Sequence, residues 1–314
     1  MTIVQRRADS AGAFGGRASM SDMTGKQSEA SCPLRDPGIQ PGVAVRLSSH
    51  LWRLTARNPG MMTGPGTNSY LIGADEDWAV IDPGPADDQH VSALIAAAPG
   101  AIRHILVTHT HKDHSPGAAT LKAATGATLL GRVTVHPHWQ DGTFAPDREL
   151  RHDDRLTFGG GVTLRVIHTP GHASNHLCFL LEAQRVLFTG DHIIQGSTVV
   201  IDPPDGDMAA YIASLDALLR EPLENLAPGH GTLIAEPHSA IAALIQHRLR
   251  REAKVLSALP REHPADLATL VRRVYDDVPP QLHSLAERSL LAHLLKLGDE
   301  QSARRVGERW MAAT

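Results

Sequence analysis

Hydrophobic positions along the first two thirds of this chain fall in short runs, each closed by polar or glycine-rich sequence. Ala79-Val80-Ile81, Ile105-Leu106-Val107, Val166-Ile167, Val186-Leu187-Phe188 and Leu226-Ala227 are of this kind, with the length and β-branched content of buried strands. Ser115-Pro116-Gly117 marks a helix start after the second run, and a helix-length segment over residues 208–221 separates the last two. Beyond Pro237 the spacing becomes helical. Residues 238–259 carry Ile241, Leu244, Ile245, Leu249 and Val255 among Arg248, Arg250, Arg251 and Lys254, which predicts an amphipathic helix. Leu267, Leu270, Val271 and Val274 predict a second helix after Pro264, and Leu285, Leu290, Leu294 and Leu297 a third over residues 282–297. Residues 303–311 read as a short hairpin or a further helical turn, so residues 246–314 look like a winged-helix-type module.

The polar segments that close these apolar runs carry chemistry. His109-Thr110-His111-Lys112-Asp113-His114 comes directly after Val107. Three imidazoles and a carboxylate this close are hard to place in a core, because buried polar groups need partners, and imidazole is the commonest metal ligand. A turn after a strand can aim His109 and His111 at one point and Asp113 and His114 at a neighbouring one, which provides ligands for two ions. The later runs end in the same way, in His168-Thr169-Pro170-Gly171-His172, Thr189-Gly190-Asp191-His192 and Pro228-Gly229-His230-Gly231. Glycine tolerates the backbone angles of tight turns and lets the chain approach an ion closely. A single Gly-His or Gly-Asp is an ordinary turn; one after each successive strand predicts a metal centre.

This pattern resembles the metallo-beta-lactamase superfamily, whose signature is His-x-His-x-Asp-His followed by a distant His, an Asp and a last His. The matching residues are His109, His111, Asp113, His114, His172, Asp191 and His230. Asp82, in Ile81-Asp82-Pro83-Gly84, matches the first motif of that family, a carboxylate that supports the ligands. The resemblance spans roughly residues 50–245. It implies an α/β fold, an αββα sandwich of two mixed β-sheets with the metals at one edge. It also implies one ion on His109, His111 and His172, a second on Asp113, His114 and His230, and Asp191 bridging them. Nitrogen and oxygen ligands without thiolate suit two zinc ions, and also manganese or iron. Two ions about 3.5 to 4 Å apart acidify a bridging water to a hydroxide nucleophile and polarise the electrophile. The implied chemistry is hydrolysis, with Asp113 and Asp82 as its catalytic carboxylates.

Branches of the superfamily separate on particular residues. Asp191 stands where the commonest class B beta-lactamases place a cysteine, so antibiotic hydrolysis is not expected. The flavo-diiron reductases carry a glutamate at the position of His111 and a flavodoxin-like domain, and neither is present. The beta-CASP nucleases insert a whole domain between the bridging aspartate and the last histidine, whereas here a short helical segment separates Asp191 from His230. Residues 66–71, Gly196-Ser197-Thr198-Val199-Val200 and His247-Arg248-Leu249-Arg250-Arg251-Glu252 are similar to the beta-lactamase-like protein 2 group. That group includes a single-strand-specific endoribonuclease and is similar to thioesterases that release fungal polyketides. The expected substrate is therefore a single-stranded RNA phosphodiester or a small-molecule thioester, such as the acylglutathione or acyl-CoA of a glyoxalase II-like enzyme. A nucleic-acid-binding protein with a structural metal site is the alternative from another class. A structural zinc site is closed by four ligands, whereas seven ligands around two ions leave positions open.

Composition changes this picture little. The whole chain carries a formal charge of −4, but from residue 246 onward twelve Lys and Arg face nine Asp and Glu, a net of +3. That permits RNA binding without arguing for it. Two cysteines, Cys32 and Cys178, argue against a disulfide framework and fit a reducing, cytoplasmic setting. No apolar run is long enough for a membrane span. Residues 1–42, rich in Ala, Gly, Ser and Arg, are expected to be a disordered extension, residues 43–245 the catalytic domain and 246–314 the C-terminal module.

Overall fold

The computed structural model describes residues 34–136 and 140–313. Two β-sheets lie face to face with helices on both outer sides. The first sheet has seven strands in chain order, β1 (Ala44–Arg46), β2 (Leu51–Thr55), β3 (Asn68–Ala74), β4 (Asp77–Ile81), β5 (Ile102–Leu106), β6 (Thr128–Gly131) and β7 (Arg148–Glu149). It is antiparallel as far as β4 and parallel from there to β7. The crossover helices α1 (Asp88–Ala97) and α2 (Gly117–Thr125) make the parallel pairing of β4, β5 and β6 possible. The second sheet runs from β8 (Arg155–Thr157) through β9 (Thr163–His168), β10 (Leu177–Leu181) and β11 (Val186–Gly190) to β12 (Asn225–Pro228). It is antiparallel except for β11 and β12, which α3 (Met208–Leu218) connects in parallel.

The strands read as continuous apolar runs because both faces of each sheet are covered. In β10, Leu177, Phe179 and Leu181 point between the sheets towards Leu51, Tyr70, Ile72 and Ile81. Cys178 and Leu180 point the other way, into a second core with Tyr211 and Leu215 of α3. Tyr70 and Phe188 meet across the sandwich edge-to-face, centroids 5.0 Å apart. Val91, Leu94 and Leu121 of α1 and α2 cover the outer face of the first sheet against Leu71, Val80 and Ile105.

Three helices and a ribbon complete the chain: α4 (Pro237–Ala258), α5 (Leu267–Val274), α6 (His283–Asp299) and the antiparallel pair β13 (Ala303–Val306) and β14 (Arg309–Ala312). The apolar positions read from the periodicity, Val255, Leu270, Val271, Val274, Leu290, Leu294 and Leu297, form one core closed by Trp310. The helix α4 runs straight through the boundary expected after residue 245. Its Ile241 packs with α3 and its Val255 with α5 and α6.

Most of the extension expected over residues 1–42 lies outside the described residues, as does Cys32. Its last part, residues 34–42, is tied down instead of loose. Asp36 pairs with the buried Arg53 at 2.6 Å and accepts the Leu233 N–H at 2.6 Å, and the Leu34 N–H reaches Asn225. Among the described residues, no helix is long and apolar enough to cross a membrane.

Candidate metal centre

All seven sequence-predicted ligands come from segments that leave the C-terminal ends of strands on one edge of the sandwich: residues 109–114 after β5, His172 after β9, Asp191 after β11 and His230 after β12. The fold brings them together in three overlapping sets, His109 with His111 and His172, His109 with His114 and Asp191, and Asp113 with His114 and His230. Within each set the candidate donor atoms lie within 4.8 Å of one another. Two glycines make this approach possible. A Cβ on Gly229 would stand 2.7 Å from His114 Cε1 and 2.8 Å from Asp191 Oδ1, and Gly190, at φ +44°, would drive one to 2.5 Å from Thr108 Oγ1.

Partners on the far side of each ring decide which nitrogen faces inward. His172 Nδ1 lies 2.8 Å from the Val200 carbonyl and His230 Nδ1 3.2 Å from the Gly66 carbonyl. A carbonyl only accepts, so both rings carry a proton there and turn Nε2 toward the centre. Asp82, although outside the ligand sets, does the same for His114, whose Nδ1 donates to its Oδ2 at 2.9 Å. The other bonds to the Asp82 carboxylate come from the Thr108 N–H and hydroxyl, both at 2.7 Å. Because that hydroxyl donates to Asp82, it accepts from His109 Nδ1 at 3.0 Å, which leaves His109 Nε2 bare. Residues 66–71 have a matching role opposite: the Asn68 amide holds the Pro228 and Gly231 carbonyls on either side of His230.

These inward atoms form two knots. His109 Nε2 and His172 Nε2 stand 3.0 and 3.1 Å from His111 Nδ1. His114 Nε2 and His230 Nε2 stand 3.3 and 3.2 Å from Asp191 Oδ1 and 3.5 and 3.2 Å from Asp113 Oδ2. His114 Nε2, His230 Nε2 and Asp191 Oδ1 are buried without a hydrogen-bond partner among the described residues. Buried nitrogens and carboxylate oxygens converging this closely without partners suit a cation between them, and such donors fit divalent ions of the zinc type. Protonation behaviour points the same way. Burial and the neighbouring His172 hold His111 down to about 3. Burial would lower His230 too, but Asp191 and Asp113 more than offset it and push it up to about 10. Burial opposes ionisation of Asp113, yet His114 and His230 hold it at about 2. Without a metal the carboxylates thus draw a proton to His230 Nε2, the position a bound cation would take in its place.

Two buried histidines beside the centre escaped the sequence reading. His176 accepts the Asp191 N–H at 3.2 Å, its Nδ1 meets Thr169 Oγ1 at 2.9 Å, and its ring stacks on His109 with centroids 5.0 Å apart. His192 lies against Tyr211, centroids 4.8 Å apart, and burial followed by His172 lowers it to about 3. Their only sequence signals are adjacency, His176 four residues after His172 and His192 directly after Asp191.

A cavity of about 330 Å³ opens beside His172, Asp191 and His230, with Ile39, Met61, Met62, Ile194, Val199 and Leu285 among its walls. A second, of about 290 Å³, adjoins it at Met62, His172, Asp191 and Val200 and is lined by Lys112, Gln140, Asp202, Asp205 and Arg288.

Comparison with known proteins agrees with this geometry. Residues 62–230 match the metallo-beta-lactamase superfamily, and residues 267–310 match the beta-lactamase-associated winged helix domain. The atrochrysone carboxyl ACP thioesterase of Aspergillus chevalieri is 31% identical over 275 residues, covering 82% of this chain and 84% of its own. The beta-lactamase-like protein 2 homolog of Drosophila melanogaster is 30% identical over 273 residues, 83% of this chain and 91% of its own. A beta-lactamase domain protein from Burkholderia ambifaria has the same fold, with a TM-score of 0.75 at 21% identity over 88% of this chain and 95% of its own. With residues 62–230 and 267–310 both matched, this chain belongs to the metallo-beta-lactamase superfamily and is one of its hydrolases, carrying the winged helix domain associated with that fold.

Proposed function

We propose that this protein is a thioester hydrolase that works with two divalent metal ions, zinc being the metal its donors suit best. One ion is assigned to His109, His111 and His172, the other to Asp113, His114 and His230, with Asp191 between them. Bound there, the ions supply Lewis acidity and bring a water near neutral acidity. The protein's own part is orientation. Val200, Gly66 and Asp82 keep the protons of His172, His230 and His114 on the outward nitrogens. Asp113 stays ionised throughout the working pH range.

The observation that carries the choice of substrate is the cavity beside the centre, whose walls combine Ile39, Met61, Met62, Ile194, Val199 and Leu285 with Gln195, Ser197, Thr198 and Thr232. Met61 and Met62 stand 76% and 52% exposed at its mouth, where an apolar ligand would cover them. An acyl group gains from such walls, whereas a polyanionic strand is drawn by Lys and Arg. The relative from Aspergillus chevalieri, named as a thioesterase, favours the same reading.

Parallel turnover of an acyl-CoA, an acylglutathione and single-stranded RNA by the zinc-loaded protein tests this, with Asp113→Ala as the control. Thioester cleavage that the variant loses is the expected result. Cleavage of RNA alone overturns the substrate, and a fully active variant overturns the site.

A further inference from the structure

Two sequence motifs, residues 196–200 and 247–252, supply no ligand, yet the fold joins them behind one. His172 is oriented by the Val200 carbonyl, which accepts its Nδ1 proton at 2.8 Å. That carbonyl belongs to a segment that is neither helix nor strand, so its position depends on what holds its neighbours. Arg248 of α4 donates from Nη2 to the Val199 carbonyl at 2.6 Å. Ser289 of α6 accepts the Ile201 N–H on Oγ at 3.2 Å. Arg288, next to it, pairs with Asp202 at 3.1 Å. Consecutive residues from Val199 to Asp202 are thus gripped by the C-terminal helices, apart from Val200, which grips His172.

Arg248 is 3% exposed, and no carboxylate pairs with it among the described residues. Burying a cation without an anion is expensive, so its few contacts weigh heavily. Besides Val199 it lies over the Tyr211 ring, 5.2 Å from the centroid, and Tyr211 donates to the His192 carbonyl beside Asp191. The rest of the motif anchors α4. Arg251 binds the Val274 carbonyl at the end of α5 at 2.6 Å and Asp277 at 2.7 Å. Glu252 accepts from Lys296 and His293 of α6 at 2.6 and 3.1 Å.

We infer that Arg248 and Ser289 are positioning residues for His172. Through them the C-terminal helices set how tightly the ion on His109, His111 and His172 is held, while the ion on Asp113, His114 and His230 is independent of them. This rests on the ligand assignment proposed above. Outer partners of this kind typically change metal affinity about 10- to 100-fold.

The test is zinc titration of the metal-free full-length protein against a chromogenic chelator, for wild type, Arg248→Met, Ser289→Ala and Ser289→Thr. The two lossy variants are expected to weaken one of two ions by about tenfold or more and leave the other unchanged, and Ser289→Thr, which keeps the hydroxyl, to behave as wild type. In the metal-free state, amides 199–202 should exchange hydrogen faster in Arg248→Met while those of α5 do not. Both ions bound as in wild type, or both weakened alike in a folded variant, overturns the inference. If Arg248→Met does not fold, the milder Ser289→Ala decides by the same criteria. A wild type that binds fewer than two ions overturns the ligand assignment and this inference with it, a failure visible before any variant is compared.

Discussion

Asp82→Asn separates a bystander carboxylate from one that directs the ligands. Asp82 is buried and sits at φ 50°, a backbone region that Asn tolerates as well as Asp, so the exchange adds no backbone strain. The change falls on the hydrogen bonding. The amide oxygen can keep the Thr108 N–H, now received at 2.7 Å. The amide NH₂ then faces His114 Nδ1 and the Thr108 hydroxyl, where the carboxylate accepted at 2.9 and 2.7 Å. His114 can satisfy that donor only by moving its proton to Nε2, into the ligand set. The Thr108 hydroxyl must likewise turn its proton toward His109 Nδ1, which transfers the reversal to the knot of His109, His111 and His172. Each misdirected imidazole costs about 10- to 100-fold in affinity, or about 1.4 to 2.7 kcal/mol. Two charge-assisted bonds lost from a buried site remove a further ~3 kcal/mol or more of metal-free stability. Competitive zinc titration and urea melts of the same samples measure both quantities. Thr108→Val is the matched control, because it strips the partner of His109 and leaves Asp82 on His114; it should weaken one ion only. A folded Asp82→Asn protein that binds both ions as wild type does would refute the claim that Asp82 sets the tautomers.

Three other variants probe particular contacts. Gly229→Ala places a Cβ 2.7 Å from His114 Cε1 and 2.8 Å from Asp191 Oδ1, and a displacement of that order should lower kcat/KM about 100-fold; a loss below tenfold would show that the two rings can yield. His90, held by burial at about 4 against 6.5 when free, binds its proton more readily in the unfolded chain. Its contribution is complete above pH 6.5 and lost as the pH falls through about 4, amounting to about 2 kcal/mol between pH 8 and pH 5. Urea melts of wild type and His90→Gln should therefore converge by that amount on acidification, and parallel curves would remove His90 as the cause. Phe179→Ala, fully buried between the sheets, should cost about 3 to 5 kcal/mol in the same melts with the metal-binding stoichiometry intact.

The strand ends and most of the candidate metal centre were legible in the sequence because their signals are local. Residues 109–114 concentrate four candidate ligands in one turn, and each later candidate comes after its own apolar run. The helices of the C-terminal module were equally legible, since their apolar spacing matches the core that Leu270, Leu290 and Leu294 form. Residues 303–311 read equally well as hairpin or helical turn. Tertiary contact decided for the ribbon, where Trp310 exchanges backbone bonds with Ala265 at 2.8 and 2.9 Å and closes that core. It also decided that residues 34–42 pack, through the pairing of Asp36 with Arg53. Above all it decided which way each ligand faces. His172 is oriented by a carbonyl 28 residues away and His230 by one 164 residues away. Every residue carries a carbonyl, so no residue type marks the one that will serve. Which atoms can hold a metal is a property of side chains and is written locally; the aim of those atoms depends on backbone brought close only by the folded chain.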